Sequence, residues 1–478
     1  MSIKYIFPST GNLNPIIDKT ADRGKVASME ASIRECLASH GILVDLQRIS
    51  VSPLNIIIDY ELKSTSTVKE VKNRILDLSV CVGQEVKFFQ HSEEPGVFSL
   101  SILRTNRAYV SLKSIIESES FQSATSPLTI AAGIDEHSNV FCFDLAEAPH
   151  LLIGGTTGSG KTVFLDDVIL SIEFHSTPEQ VQLILVDTSV KDFLVYENIP
   201  HLFCPIINSK VNANVAAITL RNIMNKRYEQ FVKLGSTIKT IEAYNQVAEN
   251  PLPRIVMIID KYLDVFQDIP ETFEFSISEI ARKGRAAGIH LILNTQSARS
   301  DIISNDIKTN LLYRAAFSVV DWHESKAILD KTGAQKLLGN GDMLFQDMHT
   351  KETFHVQTAF VSDYEVEKVV RDLKMHNDYP TYYASEDPAT KTHIPNIVLE
   401  DDKKELDPEK SYERAILNAV SGTKYVSVLS IQKALDVSFA EATRIMKYLE
   451  KNRVVSSRVF LKGRPVNQDV IDKLIDEL

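Results

Sequence analysis

The sequence predicts an α/β fold: a mainly parallel sheet covered by helices, flanked by a small α+β module before it and a compact helical module after it. Three observations point there. Short, wholly apolar runs recur through residues 131–375 (HLLIGG, VQLILVD, RIVMIID, IHLILNT and YRAAFSVV), each followed by a helix-length segment. Strands buried on both faces read as continuous apolar runs, and helix-length connections make neighbouring strands parallel. A glycine-rich loop joins the first of these strands to a helix, and the blocks on either side lack the alternation.

Residues 1–130 read as the N-terminal α+β module. Residues 27–40 have helical spacing, Val51 to Leu62 alternate loosely like a strand, and residues 66–79 read as a second helix. KFFQ and VFSLSI read as a hairpin around Glu94-Pro95-Gly96. Residues 376–410 carry prolines and the charge run Glu400 to Lys410, the composition of a linker. Residues 411–478 read as helix, short helix, turn, helix and hairpin, the order of a winged helix whose third helix can enter a major groove.

The loop is Gly155-Thr156-Thr157-Gly158-Ser159-Gly160-Lys161-Thr162, a full GxxxxGKT or Walker A pattern between the strand HLLIG and the helix VFLDDVILSIEF. Glycines let the backbone fold around phosphate oxygens and aim its N–H groups at them. Lys161 would meet the β- and γ-phosphates, and Thr162 would place a hydroxyl on Mg2+. A nucleoside triphosphate, ATP, is the expected cofactor. The run Ile255-Val256-Met257-Ile258-Ile259-Asp260 supplies the second requirement, a carboxylate ending an apolar strand to hold the Mg2+ shell. Together these describe a RecA-like P-loop NTPase core. The next residue is usually a Glu that activates the attacking water; here it is Lys261. An ammonium is a poor general base. Asp264 and Asp268 stand as substitute bases or as ordinary solvated helix residues.

Composition narrows the setting. The 478 residues carry a net charge of −11, so nucleic-acid binding must come from a local basic face. Four distant cysteines (Cys36, Cys81, Cys142 and Cys204) exclude a disulfide scaffold and the usual zinc sites, and suit the reducing cytoplasm. The N-terminus has no apolar signal core, and no membrane-spanning run is present.

Residues 27–464 resemble the motor portion of the FtsK/SpoIIIE family of hexameric double-stranded DNA translocases. The resemblance lies in Ala148 to Thr162 (APHLLIGGTTGSGKT), Val195 to Leu202 (VYENIPHL), Lys283 to Leu291 (KGRAAGIHL), Thr295-Gln296 and Leu337 to Leu344 (LLGNGDML). It implies that Arg285 is an arginine finger reaching a neighbouring subunit's ATP, and that Gln296 is a sensor of the γ-phosphate. Lys261 stands in place of the family's catalytic Glu, and Asp187-Thr188-Ser189 in place of its DPK. The first block is similar to the family's small stacked ring domain.

Residues 424–464 hold nine basic residues against three acidic ones, among them Arg444, Lys447, Lys451 and Arg464. Such a face neutralises phosphates and makes DNA binding salt-sensitive. The block resembles the family's γ domain. Arg444 is kept, while Ala440 and Lys447 stand where the family has Asn and Glu. The functional expectation is an ATP-dependent double-stranded DNA translocase working as a homo-hexameric ring, with hydrolysis in doubt through Lys261. The alternative is a nucleotide-gated, non-hydrolysing DNA clamp or assembly factor.

Overall fold

The computed structural model describes residues 5–15, 23–51, 55–63, 66–90, 96–104, 109–147, 149–189, 191–266, 270–298, 303–348, 350–378, 380, 425–428, 430–431, 439–455, 464–467 and 470. The chain divides into two units, Met1–Ile394 and Pro395–Leu478.

The first unit opens with the α+β module. Its antiparallel sheet runs in the order Val44–Val51, Asn55–Leu62, Val97–Leu103, Val86–Gln90, and helices Arg23–Ser39 and Ile75–Val82 pack on each other beside it. The expected hairpin of Val86–Gln90 with Val97–Leu103 is present. Two expectations are corrected. The strand Val44–Val51 escapes sequence reading because half of its residues are exposed and Val44 alone is buried, which erases the apolar alternation. The helix expected over residues 66–79 is two helices, Val68–Lys72 and Ile75–Val82, because the backbone at Arg74 leaves helical geometry (φ −105°, ψ 7°).

The five apolar runs form the parallel heart of a second, larger sheet. Its order is Val181–Asp187, Arg254–Asp260, Ile289–Thr295, His150–Gly154, Tyr313–Phe317, all parallel. Alternate residues explain why the runs are unbroken. Leu151, Ile153, Leu183, Leu185, Val256, Ile258 and Ile292 pack with Phe164, Leu165 and Val168 of the helix Lys161–His175. The intervening Leu152, Ile184, Val186, Met257, Ile259 and Leu293 are buried as well. Both faces are therefore largely closed to polar side chains, and chemistry is pushed to the strand ends.

The sheet continues antiparallel through Asp342–Asp347, Glu352–Phe360, Thr129–Asp135 and Val140–Asp144, with the short strand Val110–Ser111 on Glu352–Phe360. The core thus begins well before residue 131. Residues 5–14 also belong to it: Ile6 N donates to Asn377 Oδ1 (2.8 Å), Ser9 N to Asp372 Oδ2 (2.8 Å) and Asn14 N to Glu365 Oε1 (2.7 Å), all toward the helix Asp363–His376. Among the described residues, no helix is long and apolar enough to cross a membrane.

The second unit has a small core of Val426, Ile431, Ile445, Met446, Leu449, Val454 and Val455. It holds the helix Phe439–Lys451 and the antiparallel pair Tyr425–Val426 with Arg464–Pro465. The first helix and most of the hairpin expected for a winged helix fall on residues 411–424 and 456–463, outside the described residues.

Two buried acids in the helix after the phosphate loop set a pH dependence. Burial pushes Asp166 up to about 7, although the Tyr196 hydroxyl donates to it at 2.7 Å, and Asp167 beside it is raised further by burial. A carboxyl whose pKa is raised in the folded chain is better tolerated protonated. Its contribution is therefore full below the ordinary value near 4 and is lost as pH climbs through 7. Denaturant titrations should show the first unit losing stability between pH 5 and 7, by up to about 1.4 kcal/mol per pH unit per group. Asp166→Asn, which keeps an acceptor for Tyr196, should flatten that fall.

Candidate nucleotide site

Strand register assembles the site. Asp260 lies beside Asp187 on the adjacent parallel strand, and Thr295 lies beside Gly154. The strand Ile289–Thr295 is inserted between the phosphate-loop strand and the Asp260 strand. One row of carboxyl ends thus carries Asp187, Asp260, Asn294, Thr295 and Gly154.

Gly155 to Gly160 turn between the strand His150–Gly154 and the helix Lys161–His175, whose N-terminus faces the cavity beyond. Gly160 has φ +113°, and a Cβ there would stand 2.6 Å from the amide nitrogen of Gly341. That contact exists because a second loop, Gly339 to Gly341, packs on the first: Gly341 N donates to Ser159 O at 2.9 Å, and Thr358 N donates to Gly341 O at 2.8 Å. Thr156 N and Oγ1 both donate to Ser318 O (2.8 and 3.0 Å), fixing the other flank. Lys161 Nζ donates to Gly155 O and Thr156 O, each at 2.7 Å. Burial pushes Lys161 down to about 8; Lys261 adds to this and Asp260 opposes it.

A cavity of about 280 Å3 lies in front of the loop. Thr157, Gly158, Gly160, Lys161 and Thr162 line one side, and Asp260, Lys261, Asn294, Thr295 and Gln296 line another. Gly155, Thr156 and Ser159 shape the loop from behind. Asp260 is buried, and its Oδ1 accepts from Asn294 Nδ2 at 2.5 Å. Burial raises its pKa against the opposing pull of Lys261 and Asn294. Its Oδ2 faces Lys261 Nζ at 3.1 Å. A divalent ion, which this fold implies, finds a fitting ligand in Thr162, exposed at the cavity wall. Asp260 offers a second ligand in its buried Oδ2, which accepts no hydrogen bond, and Lys261 Nζ competes for that oxygen from 3.1 Å.

The other candidates separate cleanly. Gln296 is exposed at the cavity wall. Arg285 is exposed in the turn Arg285–Ala287, before the strand that ends at Thr295. That places it at the opposite edge of the sheet from the cavity, roughly 20 Å away along the strand. Asp264 is exposed on the short helix Tyr262–Phe266 and does not line the cavity; Asp268 is outside the described residues. Lys447 and Lys451 are exposed on the helix Phe439–Lys451, opposite buried Ile445 and Leu449. Arg444 lies on the same helix and Arg464 on the strand Arg464–Pro465. Sequence reading missed Asn294, Asp192 and the Asn340-Gly341 loop. Asn294 carried a signal, being polar in an apolar strand next to Thr295-Gln296.

Residues 111–300 match the sequence profile of the FtsK/SpoIIIE family. The ATPase core is similar to that family over this stretch. The chain is 34% identical over 98% of its length to the DNA translocase FtsK of Clostridium acetobutylicum, and 33% identical over 98% to that of Streptococcus pneumoniae. It spans 61% and 62% of those relatives' lengths. Two solved structures share the RecA-like P-loop ATPase fold of this core. They are the pCW3 conjugation coupling protein TcpA with ATPγS (TM-score 0.51, 21% identity, 73% of this chain and 100% of that one) and the cytoplasmic domain of the type VII secretion ATPase EccC of Thermomonospora curvata (TM-score 0.50, 23% identity, 57% and 35%).

Two outcomes test this geometry. Gly160→Ala places a Cβ at φ +113° and 2.6 Å from Gly341 N, so the second loop must withdraw from the first. Equilibrium binding of a fluorescent ATP analogue should weaken about tenfold, the cost of forcing an alanine into left-handed backbone. With the Lys161 ammonium as the expected phosphate contact, affinity should also fall as pH rises above about 8, by up to roughly tenfold per pH unit.

Proposed function

We propose that the chain is an ATP-dependent double-stranded DNA translocase of the FtsK/SpoIIIE type, acting as a homo-hexameric ring in the cytoplasm. The observation that carries this reading is the phosphate loop facing Asp260, Asn294, Thr295 and Gln296 across one cavity, within a core similar to that family. The loop amides of residues 155–160 and the Lys161 ammonium bind the ATP phosphates, and Gln296 reports on the γ-phosphate. Thr162 would hold a Mg2+ ion accompanying the nucleotide, which would screen the phosphate charge. Arg285 completes a neighbouring subunit's site, since its own cavity lies at the other edge of the sheet. A guanidinium there neutralises charge that develops on the transferred phosphoryl group. Duplex DNA is held through its phosphates, with Arg444, Lys447, Lys451 and Arg464 of a winged-helix unit adding a basic face.

A second reading has its own observation. Lys261 stands at the catalytic Glu position and is ion-paired to Asp260 and Asp192. No base is held at that position, which favours a nucleotide-gated DNA clamp that turns over slowly or not at all.

Steady-state ATP hydrolysis by the full chain, with and without long duplex DNA, separates the two. A motor shows DNA-stimulated turnover that Arg285→Ala lowers roughly a hundredfold or more. A clamp is silent and gains DNA-stimulated turnover with Lys261→Glu. In either case Lys447→Glu with Lys451→Glu should weaken duplex binding and reduce its salt slope by about one unit per residue. DNA binding insensitive to both salt and these substitutions would overturn the nucleic-acid reading.

A further inference from the structure

Three carboxylates, from Asp187, Asp192 and Asp260, bring an oxygen each within 4.8 Å of one another at the cavity edge. Such a group repels itself unless a cation sits among its members. Asp187 spends its oxygens on the loop that follows it, accepting from Ser189 N (2.9 Å), Ser189 Oγ (2.6 Å), Lys191 N (2.9 Å) and Asp192 N (2.8 Å). The charge of the other two is met by Lys261. Its Nζ lies 2.6 Å from Asp192 Oδ2 and 3.1 Å from Asp260 Oδ2, and donates to Ser189 Oγ at 2.7 Å.

The backbone is arranged for this. Lys261 has φ +56°, a left-handed conformation that non-glycine residues disfavour. It turns the chain sharply between the end of the strand Arg254–Asp260 and the helix Tyr262–Phe266. The ammonium is thereby held at a cavity wall, hydrogen-bonded to Asp192 and Ser189, with Asp260 Oδ2, which accepts no hydrogen bond, at ion-pairing distance.

We propose that Lys261 is a tethered counter-cation of the nucleotide site: it takes the position at Asp260 that the shell of a divalent ion would otherwise use, and makes ATP affinity nearly independent of Mg2+. Lys261 and a metal shell compete for one carboxylate oxygen, so whichever holds it weakens the other. By offsetting carboxylate charge beside Lys161, Lys261 also lowers the repulsion of free ATP, whose phosphates carry more negative charge without the metal. This inference rests on the nucleotide-binding reading above.

The test is equilibrium binding of a fluorescent ATP analogue to the full chain, in saturating Mg2+ and again in EDTA, for the parent, Lys261→Glu, Lys261→Met and Lys161→Ala. The parent should show a change in affinity of less than about threefold on removing Mg2+. Both Lys261 variants should lose affinity in EDTA by roughly ten- to a hundredfold relative to Mg2+, the range a charge-assisted contact supplies. Lys261→Met keeps the side-chain length without charge, so its agreement with Lys261→Glu separates loss of the ammonium from gain of a carboxylate. A parent whose affinity depends on Mg2+ as strongly as the variants' overturns the proposal and leaves nucleotide binding standing. Absence of binding to the parent in both conditions, or a Lys161→Ala chain that binds like the parent, overturns the nucleotide-binding reading itself.

Discussion

Two-sided burial of the five parallel strands governs where this molecule can do chemistry. Residues such as Leu152, Ile153, Val256, Met257, Ile292 and Leu293 are inaccessible to solvent, so a polar side chain within a strand loses its water and needs partners to replace it, as Arg314 finds in Leu311 O and Lys308 O. Polar groups therefore gather where the strands end. Parallel register aligns those ends in one row, bringing Asp187, Asp260 and Asn294 within hydrogen-bonding or ion-pairing reach of a shared cluster. The loop Gly155 to Gly160 faces that row because its strand pairs with Ile289–Thr295 and not directly with Arg254–Asp260. The intervening strand sets the width of the cavity and supplies Asn294, Thr295 and Gln296 to its wall.

How far the sequence discloses this depends on which interactions are local. Each apolar run and the phosphate loop is a contiguous signal, and each stands where its pattern predicts. The N-terminal hairpin is likewise local, two short runs around a turn. What the pattern hides is contact between distant segments. Nothing in Gly339-Asn340-Gly341 announces a phosphate-loop partner until the structure brings Gly341 N to Ser159 O. Asp192 lies in a loop and looks solvated in sequence, yet it is bound to Lys261 across sixty-nine positions. Residues 5–14 read as a nondescript start to the first block, whereas their hydrogen bonds run to a helix more than three hundred residues away. The antiparallel extension of the sheet was missed for a related reason. A strand such as Val140–Asp144 is mostly half-exposed and lies at the edge of the sheet, where it pairs with Thr129–Asp135.

The buried polar groups away from the cavity support the frame. His150 and His290 open the two central strands and are both fully buried, with their pKa values pushed down to about 3 mainly by burial. They stay neutral at any physiological pH and act as hydrogen-bonding spacers: Leu291 N donates to His150 Nδ1 at 3.0 Å, and His290 Nδ1 lies 3.1 Å from Pro149 O. Glu173 and His201 form a comparable buried pair at 2.8 Å, to which the Tyr5 hydroxyl donates from the N-terminal segment. These contacts tie chain ends and strand starts together at the edge opposite the nucleotide cavity. Strain and unbalanced charge are left at the edge that binds.

That division between the two edges also bears on assembly. The turn carrying Arg285 is held in place by its neighbours: Arg227 donates to Ala287 O, Gly284 N to Ile280 O and Gly288 N to Arg285 O. A rigid turn cannot swing its guanidinium around the sheet to the cavity of the same chain. If Arg285 serves phosphoryl chemistry at all, the phosphate must belong to another copy. On that reading each chain has a cavity at one sheet edge and a cation for its neighbour's cavity at the other. Lys261 and Arg285 then differ in kind although both are cations near phosphate. Lys261 is committed to carboxylates of its own chain and is present whether or not a ring forms, whereas Arg285 contributes only where two chains meet. A chain with the first cation and without the second would bind nucleotide and wait.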